Sequence, residues 1–406
     1  MLLVTQTCLA DNAKTLFQSY QNYIYQIRVI ELASGNKSTI GSGFLISNDG
    51  RIATNYHVIS LFIQKPDRYR LDYVAHDNST GELQVLDIDV VHDVAIIKAA
   101  LTSDRFFKLD TAPLAKGARI FSMGNPHDLG MSIIEGTYNG LLEKTLYDKI
   151  FFSGSLNPGM SGGPAINEDG HVIGVNVSTA GNQLSFLVPI GYLNSLRDNL
   201  QPHQPVTDFN KRIEEQLVAH QQQYLDKVLN ADWPKSDFGN ARLPGKIADI
   251  FKCWGDSDNN EEALIEHAFS HCMSEDRLFL ASNYSTGGIA YTYDLYTRKD
   301  ISSLHFYNIY SKQFGRPVRV NSARKEDVTN HQCRTEFVQV AGQDWKMAYC
   351  ARNHIKFKSL YDISLSMASV SDPSQGLIIQ LSISGITQAM ATQFVKRFLG
   401  EIEWQN

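Results

Sequence analysis

Short apolar runs of four to eight residues recur along the first half of the chain, bounded by Gly, Pro, Asn or Asp. YIYQIRVIEL (23–32) is rich in Ile, Val and Tyr, the composition of a strand. GSGFLIS and RIATNYHVI flank Asn48-Asp49-Gly50, which predicts a hairpin. LQVLDIDV, VAIIKA, ARIFSMG, SIIEGTY, IFFSG, HVIGVNV and LSFLVPI follow at close spacing. Many short strands separated by turn signals predict an all-β sandwich or barrel over residues 15–200.

The pattern then changes period. QPHQPVTDFN is a polar linker in which Thr207 or Asp208 is placed to cap a helix. Ile213, Leu217, His220, Tyr224 and Val228 recur at three- and four-residue steps, the stripe of an amphipathic helix. That stripe packs on a flanking domain or pairs with a second chain. Further on, EEALIEHAFSHCM (261–273) predicts a helix. DRLFLASNY, GIAYTYDLYT, SSLHFYNIYS, HIKFKSLYDISLSMASV and GLIIQLSIS predict strands, and TQAMATQFVKRFLGEIEW predicts a closing helix. Strands in a run between helices predict an α+β domain with an antiparallel sheet. The expected plan is a signal remnant at 1–14, a β domain at 15–200, linker and helix at 201–231, and an α+β domain at 232–406.

Composition narrows the partners. A net charge of −6 and a pI near 6.1 argue against nucleic acid or an anionic membrane as the main partner. No apolar run is long enough to predict a transmembrane segment. MLLVTQTCLADNAK reads either as the tail of a secretory signal whose charged front is missing or as a frayed N-terminus. Beyond Cys8, the other four cysteines all lie after residue 250. Three pairings are open, and proximity in sequence favours Cys253–Cys272 and Cys333–Cys350. Disulfides imply an oxidising compartment, so the expected location is periplasmic or secreted, with the cytoplasm as the alternative.

NPGMSGGPAIN (157–167) concentrates three glycines and two prolines around Ser161, which excludes a regular helix or central strand. A serine hydroxyl is a poor nucleophile until a base takes its proton. A carboxylate must then orient that base, and backbone N–H groups must receive the oxyanion. His57, in ATNYHVI, is the best-placed base, because His76, His92, His127 and His171 occupy polar, turn-like contexts. Asp93, in HDVAIIK, is the best-placed carboxylate, with Asp87 and Asp89 as alternatives. Taken singly, each has a bland reading: a buried histidine, a strand-edge charge, a turn serine.

Together these pieces resemble the trypsin-like serine peptidases, in particular the bacterial Do/HtrA-type branch. The resemblance runs from GSGFLISNDGRIATNYHV through HDVAIIK and MGNP (123–126) to NPGMSGGPAINEDGHVIGVN and LSFLVP. It implies two orthogonal six-stranded β-barrels with a catalytic cleft between them. It also implies a serine endopeptidase acting on proteins or peptides through an acyl-enzyme. His57 would be the general base, Asp93 its orienter and Ser161 the nucleophile. The N–H groups of Gly159 and Ser161 would form the oxyanion hole. Gln183, Leu184, Ser185 and Phe186 would line the specificity pocket. With no acidic residue in 180–190, a small to medium apolar P1 residue is expected rather than a basic one. Neither a cofactor nor a metal is called for. Three features depart from the branch. Met160 stands where a small polar residue is usual, no PDZ pattern follows residue 200, and no internal activation site is present.

Other readings remain open at this level. The scaffold could be a catalytically inactive binding protein, or the main function could lie in residues 232–406. His267, His271 and Cys272, with His331 and Cys333 downstream, contain zinc-ligand types but match no standard zinc spacing. Tyr284, Tyr291, Tyr293, Tyr296, Phe306, Tyr307 and Tyr310 could form a recognition face or simply fill strands.

Overall fold

The computed structural model describes residues 12–405 except 180, 182, 201–204, 259–261 and 316–317. Most of the stretch read as a signal remnant therefore lies outside the described residues. The chain divides into two compact units, Met1–Arg212 and Ile213–Asn406.

The first unit opens with helix α1 (Asn12–Tyr20) and then forms two closed antiparallel barrels. Strands β1 (Ile24–Glu31), β2 (Lys37–Leu45), β3 (Arg51–Thr54), β4 (Tyr69–Val74), β5 (Thr80–Asp89) and β6 (Val94–Ala99) make the first. Helix α2 (Tyr56–Gln64) interrupts it, so RIATNYHVI is a short strand followed by a helical turn. Strands β7 (Arg119–Gly124), β8 (Ser132–Leu141), β9 (Ile150–Ser153), β10 (Pro164–Ile166), β11 (Val172–Thr179) and β12 (Ser185–Pro189) make the second. Closure removes the unpaired edges that so many short strands would otherwise expose. Helix α3 (Ile190–Asp198) follows the second barrel, packing Ile190, Leu193 and Leu196 into a shared core with Phe44, Phe107 and Val188. This is the trypsin-like double barrel that the resemblance implied, and it resolves the strand pattern's choice of sandwich or barrel in favour of barrels.

Helix α4 (Phe209–Asn230) starts in the first unit and runs into the second. Asp208 caps it, its carboxylate accepting from Lys211 N at 3.0 Å. Arg212 forks onto Asp87 at 2.8 and 2.9 Å. Of the predicted stripe, Ile213, Leu217 and Val228 are buried and His220 and Tyr224 half-buried, and Leu225, outside the predicted set, is buried too.

The second unit begins with the hairpin β13 (Lys235–Phe238) and β14 (Ala241–Pro244). Its main sheet contains β15 (Phe251–Asp258), β16 (Ile265–Ser274), β19 (Ile289–Arg298), β20 (Gln332–Val340), β21 (Gln343–Asn353), β22 (Tyr361–Ser369) and β23 (Gln375–Ile386). A small hairpin, β17 (Leu278–Ala281) and β18 (Tyr284–Thr286), lies between β16 and β19 in sequence. The order of the seven-stranded antiparallel sheet is β15-β16-β19-β23-β22-β21-β20. Helix α5 (Ser303–Ser311) follows β19, helix α6 (Gln388–Gly400) follows β23, and β24 (Glu403–Trp404) joins β14. Leu225 and Val228 of α4 and Phe394 and Phe398 of α6 share one core with Leu365, Met367, Ile379 and Leu381 of the sheet. Phe306 and Tyr310 of α5 share a separate core with Ala368 and Ile378, residues of opposite parity on the same strands. The sheet thus carries α4 and α6 on one face and α5 on the other.

Two predicted elements change type. Residues 261–273, predicted as a helix, contain strand β16 instead. Their ladder partners on both sides, β15 and β19, override a helical composition. SSLHFYNIYS, predicted as a strand, is helix α5. Ser302 accepts from His305 N at the cap, and the one-turn spacing of Phe306 and Tyr310 buries both on one side.

The disulfides are Cys253–Cys272 and Cys333–Cys350. This bonding removes Cys272 and Cys333 as zinc ligands. His267 instead bonds Asp294 at 2.9 Å, and His271 stacks on Trp254. No group of three or more metal-ligating side chains occurs among the described residues. The suggested aromatic face is core: all of its members except Tyr307 are buried.

Candidate active site

Asp93 sits at the tight turn between β5 and β6 in the left-handed region, with φ of +56°. Asn55 Nδ2 holds its carbonyl at 2.7 Å. The resulting position aims both carboxylate oxygens at His57. Oδ2 lies 2.6 Å from His57 Nδ1, and Oδ1 accepts from His57 N at 2.8 Å. The second bond also satisfies a first-turn N–H of α2 that has no partner within the helix. Asp93 therefore caps the helix that carries His57 and fixes the imidazole carried on it.

Asp87 and Asp89 are committed elsewhere. Asp87 pairs with Arg212, and Asp89 bonds His92 Nδ1 at 2.7 Å. Of the three carboxylates considered from sequence, it is Asp93 that meets His57. Burial pushes the His57 ring toward its neutral form. The Asp93 charge and hydrogen bond together outweigh that, and its pKa ends above that of a free imidazole.

Ser161 lies on the turn from Asn157 to Gly163. Its carbonyl accepts from Ser42 N of β2 at 2.8 Å, and its hydroxyl donates to the carbonyl of Val177 at 2.8 Å. Gly162 has φ of +84°, and a Cβ there would stand 2.2 Å from the Ser42 carbonyl oxygen. Gly159 has φ of +97°, and a Cβ there would stand 2.4 Å from the Asn125 carbonyl oxygen. Glycine is required at both positions because backbone passes where a side chain would be. The Pro158 carbonyl accepts from His127 N at 2.8 Å. Because a trans peptide holds its C=O and N–H on opposite sides, the Gly159 N–H points away from His127.

Met160, the residue that departs from the branch, is fully buried among Ile120, Ile150, Phe152, Leu156 and Leu187. It anchors the turn in the second barrel's core. Sequence reasoning missed Ser42. This buried hydroxyl donates to the Gly159 carbonyl at 2.8 Å and accepts from Asn125 N at 3.0 Å. The only signal for it was a hydroxyl between two glycines at the head of an apolar strand. Of the pocket candidates, Gln183 and Leu184 are exposed and Phe186 is half-buried. Ser185 is buried, accepting from Leu156 N at 3.2 Å.

Two barrels of six antiparallel strands, with a histidine–aspartate pair on one and a glycine-framed serine on the other, define the trypsin-like class. Residues 41–175 match the family model for the trypsin-like peptidase domain. The first unit is thus a trypsin-like peptidase domain, and its relatives are HtrA- and DegP-type serine proteases. "Protease Do-like 1, chloroplastic" of Arabidopsis thaliana is 28% identical over 192 residues, covering 43% of this chain and 42% of the relative. "Probable periplasmic serine endoprotease DegP-like" of Chlamydia pneumoniae is 30% identical over 181 residues, covering 42% of this chain and 36% of the relative. The chain thus spans less than half the length of these curated relatives. A solved serine endoprotease from Yersinia pestis is 21% identical with a TM-score of 0.42, covering 48% of this chain and 68% of that one.

Proposed function

We propose that the chain is a serine endopeptidase whose triad is His57, Asp93 and Ser161. The observation that carries this reading is the double hold of Asp93 on His57. A carboxylate bonded to Nδ1 fixes the tautomer in which Nε2 carries the lone pair that takes the proton. In the reaction, the Ser161 hydroxyl turns from the Val177 carbonyl toward Nε2. It gives its proton to His57 as Oγ attacks the scissile carbonyl carbon. The oxyanion is received by the N–H groups of Gly159 and Ser161, and His57 returns the proton to the leaving amine. Water, activated by the same ring, then hydrolyses the acyl-enzyme. The hydrogen bond that His127 N donates to the Pro158 carbonyl supports this assignment, because it turns the Gly159 N–H away from His127 toward the oxyanion.

Gln183, Leu184, Ser185 and Phe186 form the P1 pocket in this reading. Without a carboxylate among them, it selects a small to medium apolar side chain. The peptidase domain spans 15–200, linker and helix 201–231, and an accessory domain 232–406. Two disulfides favour an oxidising compartment, the periplasm or the exterior. Among the described residues, no helix is long and apolar enough to cross a membrane.

The test is labelling with a serine-directed fluorophosphonate, comparing wild type with Ser161→Ala, alongside casein hydrolysis. Wild type labels and cleaves. Ser161→Ala does not label, and its kcat falls by roughly four to six orders of magnitude. Equal labelling of both proteins overturns the assignment.

A further inference from the structure

The second unit contains a cavity of about 840 Å³ on the α5 side of its main sheet. The range typical of small-molecule sites is roughly 300–1,000 Å³. The floor is made by β22 and β23, where Ser364 and Ser382 stand opposite each other in register. One wall is the segment Val318–Arg324, and another is Arg277 in the connection from β16 to β17.

The floor is unusual for a buried sheet face. On the α4 and α6 side, β22 and β23 present Ile363, Leu365, Met367, Ile379 and Leu381 to the apolar core. The alternate positions Ser364, Ser366, Gln380, Ser382 and Ser384 are polar and also buried. A buried polar face needs partners. Ser384 finds one in Asp362 at 2.7 Å. The Ser382 hydroxyl is buried at 4% exposure, lines the cavity and has no hydrogen-bond partner among the described residues.

The charges lining the cavity are one-sided. Arg277, Arg319, Arg324 and Arg352 face a single carboxylate, Asp362. Asp362 is already saturated, accepting from Arg352, Asn321, His354, Ser384 and the Gly385 N–H. Arg277 and Arg319 are exposed and form no ion pair with any described residue. Positive potential is also felt at His331 on the rim, where burial and then Arg352 push the imidazole toward its neutral form. In a chain of net charge −6, this concentration of guanidinium groups runs against the overall balance.

We propose that this cavity binds a small anion carrying two or more phosphate or carboxylate groups, held by Arg277 and Arg319 over the Ser364–Ser382 floor. Guanidinium forks match both groups in bidentate geometry, and a serine hydroxyl can donate to either. The site uses none of the residues assigned to peptide hydrolysis.

The test is isothermal titration calorimetry on the full chain carrying Ser161→Ala, so that self-cleavage does not intervene. Pyrophosphate and citrate represent the two acid chemistries, and maltose is the neutral control. Expected is saturable binding of at least one anion with a Kd below about 1 mM at 0.15 M salt, and none of maltose. The paired change Arg277→Ser and Arg319→Ser weakens binding by about tenfold or more without changing the unliganded Tm. Ser382→Ala weakens it several-fold. Whichever anion binds more tightly identifies the acid group. Absence of saturable binding by both anions, or equal affinity in the arginine variant, overturns the proposal. Because Ser161 is absent throughout, neither result bears on the peptidase assignment.

Discussion

The Ser42 hydroxyl of the first barrel donates to the carbonyl of Gly159 in the second, across 117 positions of sequence, at 2.8 Å. The same oxygen accepts from Asn125 N, and the Ser42 N–H holds the Ser161 carbonyl. One buried residue therefore fixes the proposed nucleophile and the peptide beside the proposed oxyanion hole. Ser42→Ala leaves Gly159 O and Asn125 N unsatisfied, at about 1–3 kcal/mol. With 1.36 kcal/mol per tenfold, kcat/KM is expected to fall roughly 10- to 100-fold, mainly in kcat. Steady-state kinetics on an apolar-P1 peptide checks this, and an unaltered kcat would free Ser42 of any positioning role.

Asp93→Asn is expected to lower kcat by about 10⁴-fold with little change in KM, because the wrong tautomer of His57 is then favoured. The pH profile supplies an independent readout. His57 works only when neutral, and its pKa is raised above 6.5. Activity should therefore climb with pH through a midpoint above 6.5 in wild type, and that midpoint should drop in Asp93→Asn. A wild-type midpoint below 6.5 would contradict the pairing.

Each disulfide closes a loop, with sequence separations of 19 and 17 residues. Loops of that length contribute about 3 kcal/mol each in the chain-entropy account. Replacing Cys253 and Cys272 together by serine should lower the Tm of the second unit by roughly 6–12 °C. Cys333→Ser with Cys350→Ser should do the same. Calorimetry on the oxidised and reduced wild type gives the comparison, and identical melts would show that the bridges add nothing.

Asp362 is the acid-sensitive point of the second unit. Burial favours its protonated form, but the bond and charge of His354, then Ser384 and Arg352, outweigh it. Its carboxyl is held well below the ordinary carboxylate range. Stability from a depressed carboxylate is complete above its unfolded value and is lost as pH falls toward the folded one. The second unit should therefore weaken steeply below about pH 4. Asp362→Asn should cost about 3–5 kcal/mol at neutral pH, because Arg352 and His354 lose their partner. It should also flatten the acid limb. Urea melts from pH 7 down to about pH 3 measure both effects.

The barrel strands were legible because closed barrels alternate short apolar runs with turn residues, and that pattern is local. The disulfide pairing was legible for a related reason. In a hairpin, residues near in sequence face each other, as Cys253 and Cys272 do in the β15–β16 ladder. The ladder that made β16 a strand was not legible, since EHAFSHCM has helix-forming residues and its partners are supplied by the rest of the fold. Strand β20 gave no signal because QCRTEFVQV, on the sheet edge, is largely polar and exposed. Within the candidate site, His57, Asp93 and Ser161 stood in readable motifs. Ser42 did not, because its role exists only where two distant segments meet.

Met160 gives the serine turn a particular kind of grip. Its side chain is seated in oil, so there is no charge there for salt to screen or acid to neutralise. Apolar seating has its own weakness, since the force behind it fades on cooling. The apolar share of this turn's anchoring therefore weakens toward the cold, while the hydrogen bonds from Ser42 to Gly159 and Ser161 do not depend on it.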